Sequence, residues 1–295
     1  MSKTIFTGSG VALVTPFTNE GVNYDALGKL IDFQLENSTD AIIICGTTGE
    51  NATMPDDEHL EVVRYTIDRV NKRIPVIAGT GSNYTEHAID MTREVEKMGA
   101  DGVLCVTPYY NKTTQKGLIA SYTAIAESTS LPVIMYNVPS RTGVNMLPET
   151  VKVLSEIDNI VGLKEASGNM SQVLKIMSLC PELDIYSGED ALIAPIMMMG
   201  GKGVISVLAN VAPKETHLMT EKLLKGEFEE AKKMQLDALE LVDALFCEVN
   251  PIPVKTAMRL MGFDAGQLRL PLVEMDEKNL QKLVAAMTNY GIKLK

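Results

Sequence analysis

Lys164 is the residue whose chemistry stands out, because it ends a strongly apolar run that begins at Ile160. Such a run is typical of a buried strand, so the lysine at its end should lose much of its hydration. A fall of its pKa by about three from the usual value near 10.4, roughly 4 kcal/mol, would leave a free amine at neutral pH. A free amine can attack a carbonyl carbon and form a Schiff base. The alternative is a charged Lys164 paired with an acid such as Glu50, and strand position alone favours neither.

Schiff-base chemistry also needs a proton carrier and a group that holds a carboxylate. Tyr136 ends the preceding apolar run, and its neutral phenol could carry the proton, although a lone tyrosine is more often a packing residue. The GTTG turn that begins at Gly46 offers backbone N–H groups and the hydroxyls of Thr47 and Thr48, which suit a small carboxylate. Arg141 lies in the loop after Tyr136 and could bind a second carboxylate through two hydrogen bonds, or could simply be solvated.

Eight short apolar runs, separated by helical segments, must position these side chains. The runs begin at Val11, Ala41, Pro75, Gly102, Pro132, Ile160, Asp184 and Gly203. Most are apolar almost throughout, as strands of a parallel sheet covered on both faces must be. Between the runs, apolar residues recur at steps of three and four. We predict one helix from the acidic residues 56–58 onward and another from Asn83 or Thr85 to Met98, ended by Gly99.

This alternation predicts an α/β fold, a (β/α)8 TIM barrel, over residues 1–225. The alternative is a doubly wound open sheet, which is disfavoured by the count of eight and by the absence of GxGxxG after any run. The sequence then becomes purely helical, with an apolar stripe that starts at Ala231. Residues 226–295 are therefore predicted to form a C-terminal helical subdomain or, alternatively, an extension of the barrel's outer layer. In a barrel the strand ends meet at one face, which would bring Lys164, Tyr136 and the GTTG turn together.

Composition excludes several classes of function. The chain has 295 residues, with 27 Lys+Arg against 38 Asp+Glu and a net charge of −11, so it offers no basic surface for nucleic acid. No stretch approaches the roughly 20 apolar residues of a membrane span, and no secretion signal is evident. The four cysteines are scattered, Cys45 and Cys105 lie in apolar runs that favour buried thiols, and the three histidines form no zinc-binding pattern. We expect a cytoplasmic protein without nucleic acid or membrane as a partner.

Seven motifs occur together along the chain. They are GTTGE at Gly46, PYYN at Pro108, YNVPSRTG at Tyr136, GLKEASG at Gly162, SGED at Ser187, GVISVLANV at Gly203 and NPIPVK at Asn250. In this set and order the chain resembles the 4-hydroxy-tetrahydrodipicolinate synthase family, also called dihydrodipicolinate synthases, over essentially its whole length. The resemblance matches Lys164 to the family's Schiff-base lysine and so favours catalysis over the ion pair.

The resemblance implies a lyase of the diaminopimelate route to lysine. It would condense pyruvate with L-aspartate 4-semialdehyde to give 4-hydroxy-tetrahydrodipicolinate, with no metal or organic cofactor. Lys164 would form the imine with pyruvate, and Tyr136 would give and take the proton. Thr47 and Tyr110 would be its relay partners, with Tyr110 supplied by the neighbouring subunit of a homotetramer built as two tight dimers. The matching substrate-binding positions are Thr48, Ile205, Arg141 and Gly188.

Two other functions stay open on this scaffold. A sister aldolase such as N-acetylneuraminate lyase would share Lys164 and Tyr136 but normally lacks an arginine at the position of Arg141. A non-catalytic ligand sensor would have no need to keep both the lysine and the tyrosine. Family members inhibited by lysine commonly carry a glutamate where this chain has His87 and a histidine where it has Asp56. The resemblance therefore implies weak or absent feedback by lysine.

Overall fold

The computed structural model describes residues 4–295 and contains a closed barrel of parallel strands. The strands are β1 (Gly8–Ala12), β2 (Ala41–Ile44), β3 (Val76–Gly79), β4 (Gly102–Val106), β5 (Val133–Asn137), β6 (Ile160–Glu165), β7 (Asp184–Ser187) and β8 (Gly203–Ser206). Each strand pairs in parallel with the next one along the chain, and β1 pairs with both β2 and β8, which closes the ring. The predicted TIM barrel is confirmed.

Helices cover the outside of the barrel and continue after it. They are α1 (Tyr24–Glu36), α2 (Asp56–Val70), α3 (Thr85–Met98), α4 (Gln115–Glu127), α5 (Pro139–Thr142), α6 (Pro148–Leu154), α7 (Met170–Leu179), α8 (Ile193–Met198), α9 (Pro213–Lys225), α10 (Phe228–Leu245), α11 (Ile252–Leu260) and α12 (Glu277–Tyr290). Helix α2 begins at the acidic residues, and α3 ends before Gly99, whose φ of 88° lies in the left-handed region. Both helix predictions are confirmed. Within residues 4–295, none of the helices has the length and apolarity that crossing a membrane requires.

The first strand begins three residues before the predicted start at Val11. Its first residues are glycine and serine rather than apolar, because neighbouring groups leave no room for larger side chains. A Cβ atom on Gly10 would lie 2.7 Å from Cδ1 of Ile43 and 2.8 Å from Cζ of Phe6. The predicted start was therefore wrong, since close packing inside the ring selects small residues at the place where we looked for apolar ones.

The barrel interior is a stack of apolar side chains below the carboxyl ends of the strands. Its buried members are Phe6, Ala12, Ala41, Ile43, Ile77, Leu104, Ile134, Tyr136, Val138, Ala166, Tyr186 and Ile205. The rings of Phe6 and Tyr186 stack with their centroids 4.5 Å apart, and the Tyr186 hydroxyl donates to the Phe6 carbonyl at 2.7 Å. A second apolar layer lies between the strands and the helices, and it buries Cys45 and Cys105 as predicted. A side chain at the top of this interior stack therefore lies against a buried apolar surface.

The C-terminal helices pack against the last barrel helices. Helix α9 ends at Lys225, where Gly226 adopts a φ of 78° and allows the chain to turn into α10. The apolar stripe of α10 faces inward, and its buried members include Ala231, Ala238, Leu241 and Leu245. Helix α10 packs against α8, α9 and α12. The segment that joins α10 to α11 reaches the carboxyl face of the barrel, where it forms one wall of a cavity.

Candidate active site

A cavity of about 620 Å³ opens at the carboxyl ends of the barrel strands. Its walls come from the loops that follow β2, β5, β6 and β7 and from the segment between α10 and α11. Six of the predicted site residues line it: Thr47, Thr48, Tyr136, Arg141, Lys164 and Gly188. Residues that are far apart in the sequence are thus brought to one site by closure of the barrel.

Lys164 lies in β6 beside Tyr136 of β5, and its side chain is almost completely buried, with 7% exposure. Its Nζ lies 4.2 Å from the centroid of the Tyr136 ring, and within residues 4–295 it has no hydrogen-bond or ion-pair partner. Burial lowers the pKa of Lys164 to about 7; the Asp190 carboxylate opposes this fall, and the Arg141 charge adds to it. The alternative pairing with Glu50 does not occur, because Glu50 binds Lys255 at 2.7 Å.

Tyr136 supplies a neutral phenol next to this amine. Burial is the main cause that raises the pKa of Tyr136 above its usual value, while the Arg141 charge and the nearby Thr47 hydroxyl oppose the rise. The phenol therefore keeps its proton at neutral pH and lies near the Thr47 hydroxyl. This arrangement can give a proton to a substrate oxygen and take it back.

The GTTG turn presents the groups that suit a carboxylate. The N–H of Gly49 donates to the Gly46 carbonyl and that of Glu50 to the Thr47 carbonyl, both at 3.0 Å, which closes the turn. Among the described residues, no group accepts a hydrogen bond from the amides of Thr47 and Thr48. Thr47 and Thr48 line the cavity, and their backbone donors and hydroxyls are groups that can bind a small anion.

Arg141 and Gly188 shape the cavity on either side of the amine. Arg141 belongs to the short helix α5, and its Nη2 donates to the carbonyl of Asn250 at 3.2 Å, which leaves further N–H groups for an anion. A Cβ atom on Gly188 would lie 2.7 Å from Cβ of Ala166 and 3.2 Å from Cε of Lys164. Glycine at this position leaves the space that the lysine side chain occupies.

Two predicted residues do not line the cavity. Tyr110 is 91% exposed, and its φ of 65° places it in the left-handed region after β4. Ile205 lies in β8 and is buried in the interior stack together with Tyr136. Across residues 4–295, no three His, Cys, Asp or Glu side chains converge as a candidate metal site.

Sequence reasoning assigned no role in the site to two polar residues of the cavity wall, Asp190 and Asn250. Asp190 is 2% exposed, and its carboxylate accepts hydrogen bonds from Ser206 Oγ at 2.6 Å and from the backbone N–H groups of Val207 and Leu208. Burial raises the pKa of Asp190, and these hydrogen bonds and Lys164 oppose the rise. Asn250 donates from Nδ2 to Thr48 Oγ1 at 2.9 Å across 202 residues of sequence. The NPIPVK motif carried part of the family resemblance but assigned no role to Asn250, and no periodicity links it to the GTTG turn.

Comparison with known proteins agrees with this geometry. Residues 5–290 match the sequence profile of the dihydrodipicolinate synthetase family. The 4-hydroxy-tetrahydrodipicolinate synthase of Caldicellulosiruptor saccharolyticus is 59% identical over 292 residues, which cover 99% of each chain. That of Acetivibrio thermocellus is 56% identical over 293 residues, 99% of this chain and 100% of the relative. The crystal structure of dihydrodipicolinate synthase from Aquifex aeolicus matches with a TM-score of 0.96 at 44% identity, over 98% of this chain and 100% of that one. The chain therefore belongs to the dihydrodipicolinate synthetase family, as its motifs predicted.

Proposed function

We propose that this chain is a 4-hydroxy-tetrahydrodipicolinate synthase that uses Lys164 as its Schiff-base nucleophile. The reaction condenses pyruvate with L-aspartate 4-semialdehyde and releases one water molecule. The observation that carries the proposal is the state of Lys164, which is buried, has no partner among the described residues and has a pKa of about 7. Roughly half of such amines are uncharged at neutral pH and can attack a ketone. The relatives support neither an N-acetylneuraminate lyase nor a ligand sensor.

The first half-reaction makes the imine. The N–H and hydroxyl groups of Thr47 and Thr48 hold the pyruvate carboxylate, and Ile205 and Gly188 complete the pyruvate site beside the amine. Lys164 Nζ attacks C2 of pyruvate, the former carbonyl oxygen takes up protons and leaves as water, and a C=N bond forms. Tyr136, with the Thr47 hydroxyl nearby, carries these protons.

The second half-reaction forms a carbon–carbon bond. C3 of the imine loses a proton, and the resulting enamine adds through C3 to the aldehyde carbon of the semialdehyde. Arg141 orients the carboxylate of that substrate, and Tyr136 protonates the alkoxide. The substrate's own amine then attacks the imine carbon and displaces Lys164. Ring closure releases 4-hydroxy-tetrahydrodipicolinate and restores the free lysine.

The role proposed for Tyr110 needs a second copy of the chain. Its side chain is exposed and lies outside its own cavity, so we propose that it enters the cavity of a neighbouring subunit and relays protons with Tyr136. Two such tight dimers would form the tetramer. Refolding a mixture of the Tyr110→Phe and Lys164→Met variants tests this, because a mixed dimer regains one site with both native residues. Activity no higher in the mixture than in the separate variants would contradict the shared site.

Reductive trapping tests the nucleophile. Incubation with pyruvate and sodium borohydride should convert the imine into a stable secondary amine, which mass spectrometry would locate on the peptide that contains Lys164. The Lys164→Met variant is the control and should show no adduct there. A wild-type protein that turns over the semialdehyde without a trapped adduct on Lys164 would contradict the mechanism.

A further inference from the structure

We propose that Asn250 is a positioning residue that sets the direction of the Thr48 hydroxyl, so that this hydroxyl donates its hydrogen to the carboxylate of the bound 2-oxo acid. The inference rests on the function proposed for the cavity. It gives a role in substrate binding to a residue of the C-terminal helical region. Asn250 reaches Thr48 across the carboxyl face of the barrel.

The direction of the hydroxyl follows from the hydrogen-bond geometry. Asn250 is 5% exposed, Thr48 is 3% exposed, and Nδ2 of Asn250 lies 2.9 Å from Oγ1 of Thr48. A threonine hydroxyl has one hydrogen to donate and two lone pairs that accept. The amide N–H takes one of these lone pairs, and no described residue accepts a hydrogen bond from Thr48 Oγ1. The hydroxyl hydrogen is therefore left for a ligand in the cavity.

The opposite arrangement would weaken anion binding. If the amide accepted a hydrogen bond from Thr48, the hydroxyl would present a lone pair to the substrate carboxylate, and two acceptors would face each other. The amide donates even though its own Oδ1 is buried without a partner in residues 4–295. A buried acceptor left unpaired costs about 1–3 kcal/mol. The Asn250 side chain thus keeps its donor contact to Thr48 although its acceptor oxygen has no partner among the described residues.

A second contact fixes the GTTG turn to the same C-terminal segment. Lys255, at the start of α11, binds Glu50 at the end of the turn, with 2.7 Å between Nζ and Oε1. Both side chains are at most 1% exposed, and the other carboxylate oxygen of Glu50 accepts from the N–H of Arg269 at 3.1 Å. The turn and the segment therefore meet at two points, Asn250–Thr48 and Lys255–Glu50. Such double anchoring keeps the hydroxyl within the narrow range of directions that a binding site needs.

A double-mutant cycle on the full-length protein tests the proposal, with pyruvate affinity measured by calorimetry. Asn250→Ala frees the hydroxyl to rotate, and we expect pyruvate to bind about five- to tenfold more weakly. In a Thr48→Val background the same change should alter the affinity less than about twofold, because the hydroxyl it acts on is gone. Asn289→Ala is the matched control, since within residues 4–295 the side chain of this exposed asparagine in α12 hydrogen-bonds to Glu240 alone.

An isosteric variant protects the test against loss of folding. Asn250→Asp keeps the shape of the side chain but can only accept, so pyruvate should bind at least as weakly as in Asn250→Ala. Asn250→Asp also introduces a negative charge. The same change in the Thr48→Val background measures the effect of this charge on pyruvate affinity, because the hydroxyl is absent there. Equal losses in both backgrounds would show that Asn250 merely supports the fold, and unchanged affinity in Asn250→Asp would show that the hydroxyl does not donate to the ligand. Either result overturns the inference.

Borohydride trapping on the same samples separates this inference from the proposed function. A wild-type protein that binds pyruvate without forming an adduct contradicts the Schiff-base mechanism, while the cycle still reports on Asn250. A wild-type protein that forms the adduct but shows no coupling between Asn250 and Thr48 contradicts this inference alone. Failure of wild-type protein to bind pyruvate contradicts both.

Discussion

Two lysines are buried in the described part of this chain, and their surroundings are opposite. Lys255 donates to a carboxylate oxygen of Glu50 at 2.7 Å and to the carbonyls of Thr15 at 2.9 Å and Gln267 at 2.5 Å. These three acceptors match the three hydrogens of an ammonium group. Lys164 faces a cavity and has no acceptor among the described residues. The three acceptors therefore hold Lys255 as a cation, whereas Lys164 is uncharged in about half of the molecules at neutral pH.

The two lysines differ in the groups that oppose the effect of burial on their pKa. Burial lowers the pKa of both lysines, but at Lys255 the adjacent Glu50 carboxylate opposes the fall directly. At Lys164 the principal opposing charge is Asp190, whose carboxylate is already bound by three other donors. Both lysines are therefore desolvated, and they differ in the number of hydrogen-bond acceptors near the amine, three at Lys255 and none among the described residues at Lys164.

The largest effect is expected at the paired lysine. Lys255→Met leaves the Glu50 carboxylate buried without its partner, so the free energy of unfolding should fall by about 3–5 kcal/mol in urea denaturation. The double variant Lys255→Met/Glu50→Gln removes both charges and should recover part of the loss. A single variant as stable as the wild type would mean that Lys255 is not held as a cation.

The same substitution at the unpaired lysine should affect catalysis and leave the fold intact. Lys164→Met removes the nucleophile, and we expect kcat/KM to fall about hundred- to thousandfold, equivalent to roughly 3–4 kcal/mol of transition-state stabilisation. The free energy of unfolding should be unchanged or higher, because an amine desolvated at its site is replaced by an apolar group of similar length. Undiminished turnover by this variant would refute the mechanism.

The pKa of Lys164 also predicts a pH dependence that Lys255 should not show. Imine formation with pyruvate requires the free amine, so its rate should be about tenfold lower at pH 6 than at pH 8 for a pKa of about 7. Rapid-quench trapping with borohydride measures this rate. A rate that is independent of pH over this range would contradict a titrating Lys164.

The same pKa has a consequence for stability. Below about pH 7 both the folded and the unfolded chain hold the Lys164 proton, and the folded state bears the full cost of burying it. Between about 7 and the ordinary value of 10.5, the unfolded chain binds more protons, so stability should rise with pH, by a total on the order of 5 kcal/mol. The difference between wild type and Lys164→Met isolates this contribution.

The smallest effect concerns an exposed pair that contrasts with Lys255–Glu50. Nε2 of His87 lies 3.0 Å from Oδ1 of Asp56, and the two side chains are 38% and 64% exposed. Since this chain has a histidine in place of the glutamate that commonly takes the lysine ammonium, added L-lysine should inhibit weakly or not at all in a steady-state assay. The double variant Asp56→His/His87→Glu should increase inhibition. A submillimolar inhibition constant for the wild type would contradict this expectation.

Much of this architecture follows from local sequence signals. Continuous apolar runs predicted the strands because strands covered on both faces have no polar side, and Gly99 marked a helix end through its left-handed backbone. Lys164 was found because a charged residue at the end of a buried strand is chemically unusual. The start of β1 was missed because contacts with Phe6 and Ile43 require the glycine at position 10, and no local sequence pattern encodes these contacts.

The residues that orient the site were not predictable in the same way. Asn250 contacts Thr48 across 202 residues, and Lys255 contacts Glu50 across 205. Such contacts depend on how the C-terminal helices lie over the barrel face, and helical periodicity carries no information about that placement. The sequence allowed an ion pair between Glu50 and Lys164. The three-dimensional arrangement shows that Glu50 pairs with Lys255 instead.

Gly188 sets a boundary on how this catalyst can change. The smallest possible enlargement there, a single methyl group, would meet Ala166 at 2.7 Å, the carbonyl of Glu165 at 3.0 Å and the stem of Lys164 at 3.2 Å. That methyl group would displace the side chain of Lys164, so its Nζ would no longer be aligned with the carbonyl carbon of pyruvate. Changes that admit new substrates are therefore easier to make near Arg141, which lines the cavity and whose side chain is exposed.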